Sequence, residues 1–550
     1  MRIAITGIGI VSPLGVGQAE NLTHFLNKTS CVGAAQFLNT CHKEWPVGEV
    51  PMTNEELKSK LSLEVSQVIS RTSLLGTLAA KEAIVDAGLN ENDLNEIVFI
   101  SGTTVGGMDV TEDYIKDWTN TDYKAIDIIK QHSAGYSSEF ISNYLKIKKY
   151  STISTACSSA LNAIVLGANL IRMGKTKRVL VGGTEALSKF HLNGFAALGI
   201  LSQQVCRPFQ EDRDGINLAE GAGYLVLETE DMARNRGSKN YGYLAGYANC
   251  CDAFHATASS PEGNGAYEAM ASALAMAGVE PQMVDYINAH GTGTQNNDSS
   301  EANAIARLFP NGVSYESTKN LTGHTTSASG AIETIFSLMK MREEHLSCVM
   351  DNAFGFGGND SSVVLTKSPI ELPSVETCDN FEKIEINIEG EVDYKPYIPV
   401  MQARRMTPQM RRLMVAVKQA LSQANIEKPD AIIVGTNWGG MVPSMSLLNQ
   451  LVEQGENGLS PAQFTQSTHN SMAGTLAINL GVKGYNCTFS NGCLSYSDAY
   501  ADAVCQLSVG TAKSVLVCEF DEEIEPWQTF LLQANIPAKN RAKATVLKIK

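Results

Sequence analysis

The sequence predicts an α/β protein whose sheets are covered by helices, followed by a partial repeat of its own N-terminal half. Three observations predict it. Short β-rich runs alternate with helical stretches along the chain. The length, 550 residues, exceeds a single compact core. The last third repeats a spacing of residues already used near the start.

Strand expectations fall on residues 3–11, 96–101, 178–182, 224–228, 284–289 and 362–366, and helix expectations on 73–87, 158–172, 266–277 and 298–308. The opening MRIAITGIGIVSPLG faintly mimics a signal peptide, but Gly7, Gly9 and Pro13 interrupt it. Alternating Ile3, Ile5 and Ile8 read as a buried first strand. No run approaches the roughly eighteen apolar residues of a membrane span, so a cytoplasmic location without membrane contact is expected.

After Lys367 the stretch SPIELPSVETCDNFEK, with two prolines and several acids, reads as a linker over residues 368–385. It separates a domain over residues 1–367 from a second unit over 386–550. In that unit Gly435, Gly439, Gly440 and Met441 follow Gly102, Gly106, Gly107 and Met108 at one constant offset, and SNGCLSYSDA around Cys493 answers STACSSALNA around Cys157. The repeat stops before any counterpart of the segments that hold His290 and His324.

Apolar residues make up 43% of the chain and charged ones 18%, ordinary values for a soluble globular enzyme. The net charge of -15 argues against general nucleic-acid binding. Twelve cysteines without regular spacing form neither a disulfide framework nor a zinc pattern, so buried thiols in a reducing compartment and no metal are expected.

Four segments carry chemistry. In STACSSA a β-rich run leads into Cys157 and a helix apolar on most sides leads out, so the thiol sits at the positive end of a helix dipole, which favours the thiolate. A lone buried thiol is also a common structural residue. NAHGTGTQNNDSSEA places His290 at a strand end before a Gly-Thr turn, where a histidine can equally cap the turn. STKNLTGHTTSASGAIE sets Lys319 and His324 on one loop. NAFGFGGNDSSVVL allows close backbone approach through its glycines, with Phe354 and Phe356 as movable apolar bulk.

In this order the four segments, with RIAITGIGIVSPLG and RPFQEDRDGINLAEGAGYLVLE, resemble the β-ketoacyl-acyl carrier protein synthase family of the thiolase fold over residues 1–367. The resemblance implies a duplicated αβαβα layered fold, usually a homodimer. It implies a transferase that joins an acyl thioester on Cys157 to a decarboxylating malonyl thioester, in fatty-acid or in polyketide or aryl-polyene-type synthesis. His290 and His324 would stabilise the enolate. Lys319 would keep the site electropositive, with Glu301 as its ion-pair partner. The backbone N–H groups of Cys157 and Phe356 would hold the oxyanion, Thr292 and Thr294 the phosphopantetheine arm, and Phe354 and Phe356 the substrate. No further cofactor is implied, since the arm arrives on the acyl carrier protein, which is the expected partner.

Two departures from the family pattern stand out. The basic stretch that meets an acidic carrier protein is thinned to KSKLSLEVSQVISR, which leaves Arg207 and Arg213, together with Arg404 and Arg405 of the repeat, as candidate docking residues. Around Cys493, Leu494, Tyr496 and Asp498 replace small or neutral neighbours and no histidine loop follows, so the repeat is expected to be a non-catalytic half-domain. A second synthase-like chain could complete it. His469 is read as a core or loop histidine. Of the rival readings, a thiolase would carry a second cysteine in the GFGG loop, and a silent chain-length factor or scaffold would lack Cys157.

Overall fold

The computed structural model describes residues 1–115, 126–375, 377–404, 406–522, 524–525, 528–529, 532 and 540–550. Its core is one sheet of 16 strands. Through the first domain the order is Ser314–Glu316, Tyr286–Asn288, Cys348–Gly355, Asn359–Thr366, Gly242–Cys251, Ile3–Ser12, Gly221–Thr229, Arg178–Glu185, Val98–Gly102 and Lys149–Ile153. The two stretches of this run meet where Ile3 to Ile5 pair with Leu244 to Gly242.

Helices Ser159–Arg172 and Ser329–Glu343 lie between the two stretches and are buried almost all round, which is why neither shows a polar face in sequence. Arg71–Asp86 covers the outside of one stretch and Asn264–Ala277 the outside of the other. The result is the αβαβα layering that the sequence predicts.

Boundaries moved for identifiable reasons. The helix expected from residue 73 begins at Arg71, because the Ser70 hydroxyl caps it by accepting from the Ser73 N–H. The strand expected over 284–289 is only Tyr286–Asn288, which frees His290 for the turn that follows. Strand Phe381–Asn387 begins inside the expected linker, since its charged FEKIEIN pattern hides a strand that pairs with Arg541–Ile549.

The second unit continues the same sheet as Asn486–Phe489, Ala431–Gly435, Ser514–Asp521, Arg541–Ile549 and Phe381–Asn387. This order and its strand directions reproduce Lys149–Ile153, Val98–Gly102, Arg178–Glu185, Gly221–Thr229 and Ile3–Ser12 of the first domain. Among the described residues no helix is long and apolar enough to cross a membrane. All twelve cysteines are free.

The units join edge to edge, with Phe489 paired antiparallel to Ile153. The Ser154 N–H donates to Thr488 O and the Ser490 N–H to Thr152 O, both at 2.9 Å. Beside them a buried asparagine knot closes the seam: Asn249 Nδ2 and Asn359 Nδ2 donate to Asn486 O, and the Asn486 N–H donates to Asn249 Oδ1. The seam is therefore desolvated backbone, where each unpaired polar group costs about 1–3 kcal/mol. Asn249→Leu strands the Asn486 N–H, so the protein should lose about 2 kcal/mol in chemical denaturation, with earlier proteolysis between residues 368 and 380.

Candidate active site

Cys157 follows the edge strand Lys149–Ile153 by four residues and sits in a 3₁₀ turn, Ala156–Ser158, that starts helix Ser159–Arg172. Ala156 takes φ +54, a left-handed conformation that costs a non-glycine residue about 1–2 kcal/mol. The Ser159 hydroxyl holds the turn, donating to Ala156 O at 2.6 Å and accepting from the Thr155 N–H at 2.9 Å. The thiol is aimed by this strained turn.

His324 Nε2 lies 3.0 Å from Cys157 Sγ. The His290 and His324 rings are 5.3 Å apart and nearly perpendicular, and the Phe354 ring lies 5.7 Å from His290. Lys319 is fully buried. Its Nζ donates to Glu333 Oε1 and to His290 O, each at 2.5 Å, and approaches His290 Nδ1 at 3.5 Å. An ammonium facing Nδ1 makes that nitrogen the acceptor and leaves the ring proton on Nε2.

Glu301 is not the ion-pair partner of Lys319. It lies one helical turn beyond Asp298, and its carboxylate accepts the His290 and Gly291 N–H groups at 2.9 Å and Asn352 Nδ2 at 3.1 Å. Asp298 accepts from Thr292 and Gly293 in the same way. These two acids at the start of helix Gln295–Leu308 hold the turn that carries His290. The true partner, Glu333, is the last residue of the STKNLTGHTTSASGAIE segment. Its signal was an acid set among small and apolar residues in the buried first two turns of helix Ser329–Glu343.

Electrostatics follow from burial. Burial, and then the Lys319 charge, hold both histidines well below the ordinary imidazole range, so both are neutral. Burial pushes the Cys157 thiol up to about 12, and the Lys319 charge only partly opposes it. The helix dipole therefore does not leave a resting thiolate; burial outweighs it. Sγ and the two imidazole groups have the spacing of three metal ligands, but the ammonium beside them opposes a second cation.

The cavity over Cys157 encloses about 400 Å³. It is lined by His290, His324, Thr292, Thr294, Phe354 and Phe356. Gly355 permits this arrangement, because a Cβ there would lie 2.7 Å from Thr155 O and 3.3 Å from the Cys157 nitrogen. The Thr292 and Thr294 hydroxyls bond each other at 2.9 Å.

The sequence reading missed the wall behind the cavity. Phe356 stacks on Phe195 at 5.7 Å, Phe195 meets Phe464 of the second unit edge-on at 5.4 Å, and Asn470 Nδ2 donates to Phe356 O at 2.8 Å. Gly194 lets Phe464 in, since a Cβ there would lie 2.1 Å from its ring.

The other candidates lie elsewhere. Arg207 pairs with Asp212 and Asp214, and Arg213 bonds Thr294 O, Gln295 O and Ser299, so both are committed locally. Arg404 is exposed, and Arg405 lies outside the described residues. Cys493 opens onto a separate cleft of about 520 Å³ lined by Tyr136, Trp438 and Arg541, with no histidine among its described lining residues. His469 is buried against Gly439, away from both cavities.

Removing one partner of a buried ion pair costs about 3–5 kcal/mol. Glu333→Gln should therefore lower thermal stability by far more than Glu301→Gln, which leaves Lys319 paired. Differential scanning calorimetry of the two variants checks the assignment.

Family comparisons cover both units. The β-ketoacyl synthase N-terminal domain matches residues 1–233, its C-terminal domain residues 241–350, and a second N-terminal-type domain residues 384–547. The chain is 30% identical to 3-oxoacyl-[acyl-carrier-protein] synthase 2 of Staphylococcus aureus over 412 residues, covering 67% of this chain and 98% of the relative. It is 31% identical to the Synechocystis protein of the same name over 408 residues, covering 66% and 98%. Among solved structures, the ishigamide ketosynthase/chain length factor aligns with TM-score 0.62 at 28% identity over 67% of this chain and 99% of that one. A ketosynthase in complex with its chain length factor from Xenorhabdus doucetiae aligns at 0.58 and 29%, over 67% and 98%. A PfaC keto synthase–chain length factor covers all of this chain and 78% of its own at TM-score 0.78, with 15% identity, and so bears on fold alone. The nucleophile elbow, the paired histidines and the buried lysine thus stand in a chain that belongs to the β-ketoacyl synthase family.

Proposed function

We propose that this chain catalyses decarboxylating condensation of an acyl thioester with malonyl carrier protein. The observation that carries the reading is the neutral His324 imidazole 3.0 Å from the Cys157 sulfur, with His290 across from it. Cys157 attacks the acyl thioester and its proton moves to His324 Nε2, which returns it to the departing carrier thiol. The acyl group stays on Sγ.

Malonyl carrier protein then enters. Its carboxylate leaves as carbon dioxide, and the electron pair becomes an enolate whose oxygen faces the Nε2–H of His290 and that of His324, which takes the Nε2–H tautomer once no thiol proton is left for it to accept. The enolate carbon attacks the acyl-Cys157 carbonyl, the oxyanion is held by the Cys157 and Phe356 N–H groups, and the C–S bond breaks to release β-ketoacyl carrier protein and a Cys157 thiolate, which takes a proton from water to restore the resting thiol. Lys319 acts through His290, fixing which nitrogen carries the proton. Thr292 and Thr294 at the cavity wall suit the amides of the phosphopantetheine arm, so the site needs no further cofactor. Among the docking candidates that lie in the described residues, the exposed Arg404 is the one open to a carrier protein.

The second unit is read as a built-in partner subunit. Two similar structures are described as pairing a ketosynthase with a chain length factor. Here Phe489 pairs with Ile153, and the backbones of Thr488 and Ser490 bond Ser154 and Thr152, so the end of that edge next to Cys157 is closed to a second copy, and Phe464 stands behind Phe195 and Phe356. On this reading one chain supplies both halves of such a pair, whatever further homodimer it forms.

Mass spectrometry after incubation with acyl carrier protein and then malonyl carrier protein tests the reaction. An acyl adduct on Cys157, discharged as β-ketoacyl product, is expected; an adduct on Cys493 instead overturns the assignment. His290→Ala or His324→Ala should slow malonyl decarboxylation by about 100- to 1000-fold. Phe464→Ala should lengthen the acyl chains accepted in a competition assay, while Cys157 still acylates with short chains.

A further inference from the structure

One polar group of the catalytic cavity has no role in the reaction above. Asp360 sits opposite Phe354 in the strand ladder and lines the cavity with Cys157, His290 and His324. It is 6% exposed, and no described residue hydrogen-bonds its carboxyl. The neighbouring acids are all committed. Asp252 accepts from the Ser260 N–H at 2.7 Å and its hydroxyl at 3.0 Å, and Glu301 holds the His290 turn.

The carboxyl is packed under the first turn of helix Asn264–Ala277: a Cβ on Gly265 would lie 1.9 Å from Asp360 Oδ2 and 2.8 Å from Asp252 Cβ. The titratable groups that face it are Asp252 from the loop after strand Gly242–Cys251, Glu301 from helix Gln295–Leu308, Cys250 from the adjacent strand and His290 beyond Phe354. Burial comes first, and then Asp252 and Glu301, in holding its proton on well above the ordinary aspartate range. The group therefore presents an O–H to the cavity near neutral pH, and a buried donor of this kind calls for an acceptor on the ligand.

The two substrates differ in what they offer. The acyl group brings no charge to the cavity, whereas the malonyl unit brings a carboxylate that must leave water. We propose that Asp360 donates its carboxyl O–H to the carboxylate of the malonyl thioester and so selects the extender unit. This rests on the condensing reading above. The bond holds the carboxylate equally in the ground state and up to the point where carbon dioxide departs, so it lowers KM for malonyl carrier protein and leaves kcat in place.

The test is malonyl carrier protein saturation of the full chain as pH is raised across the whole range in which it stays folded, alongside the rate of Cys157 acylation. Asp360→Leu removes the donor and should raise the malonyl KM by roughly 10- to 100-fold, the range expected for a hydrogen bond to a charged group, leaving the acylation rate in place. In the native chain the malonyl KM should climb as Asp360 ionises, because two carboxylates then face each other. Asp360→Asn keeps an N–H donor without an ionisable proton and should flatten that climb.

An Asp360→Leu protein with native malonyl KM, or one in which acylation slows as much as condensation, overturns the proposal. If Asp360→Leu fails to fold, an Asp360→Asn profile that matches the native one overturns it equally. A native chain that forms no product from malonyl carrier protein at all refutes the condensing reading itself, which is a separate outcome.

Discussion

The free edge of strand Lys149–Ile153 is the constraint on which the rest depends. This strand is outermost in the first domain's run, and four residues beyond it lies Cys157. An unpaired edge would leave backbone donors and acceptors exposed beside the nucleophile and its aim dependent on a loosely held strand. Pairing of Thr488 to Ser490 with Thr152 to Ser154 closes the end of it next to Cys157. The same strand addition brings helices Pro461–Ser467 and Ser471–Leu480 against the cavity wall, where Phe464 and Asn470 meet Phe195 and Phe356. Fold completion and site completion are thus one event.

Inside that frame, a single buried positive charge organises the chemistry. Lys319 is paired once, with Glu333, and spends its remaining donors on the His290 loop. Burial first, and then this charge, keep both histidines neutral, which catalysis needs, since an imidazolium next to the thiol would favour a permanent thiolate and lose the proton acceptor. Burial of Cys157 acts in the same direction, holding the thiol protonated until a thioester arrives. Reactivity is conditional on substrate rather than stored in the resting enzyme.

The sequence made the layers legible because their determinants are local: alternating Ile3, Ile5 and Ile8, the apolar helix after Cys157, and the constant offset that exposes the repeat. Cys157, His290, Lys319 and His324 were legible as candidates because each ends a strand or begins a helix within a motif, and the structure brings them together. What was not legible depends on distance. Glu333 and Glu301 lie on different helices, each a plausible counter-ion, and only the packing of Ser329–Glu343 against the Lys319 loop separates them. Phe464 lies far from Cys157 along the chain and becomes a cavity residue only through the seam. The strand Phe381–Asn387 was hidden by its charges, which reflect an edge position facing water. Arg207 and Arg213 looked like docking residues because sequence does not show that their charges are already spent on Asp212, Asp214 and loop carbonyls.

The half-domain isolates what the nucleophile turn owes to fold and what it owes to function. Around Cys493 the Ser495 hydroxyl donates to Gly492 O at 2.7 Å and accepts from the Asn491 N–H at 2.8 Å, matching the Ser159 bonds around Cys157. The left-handed residue before the cysteine is Gly492, at φ +59, where the catalytic copy has Ala156 at φ +54. The turn itself is therefore a requirement of the strand-to-helix connection and survives without chemistry. What differs is its stiffness. Glycine adopts this conformation without strain and leaves it as easily, whereas alanine is held there only because the surrounding bonds force it. The strained residue occurs only in the copy where Sγ must stay within reach of His324. That is what a turn selected for aim, rather than for connection, should look like.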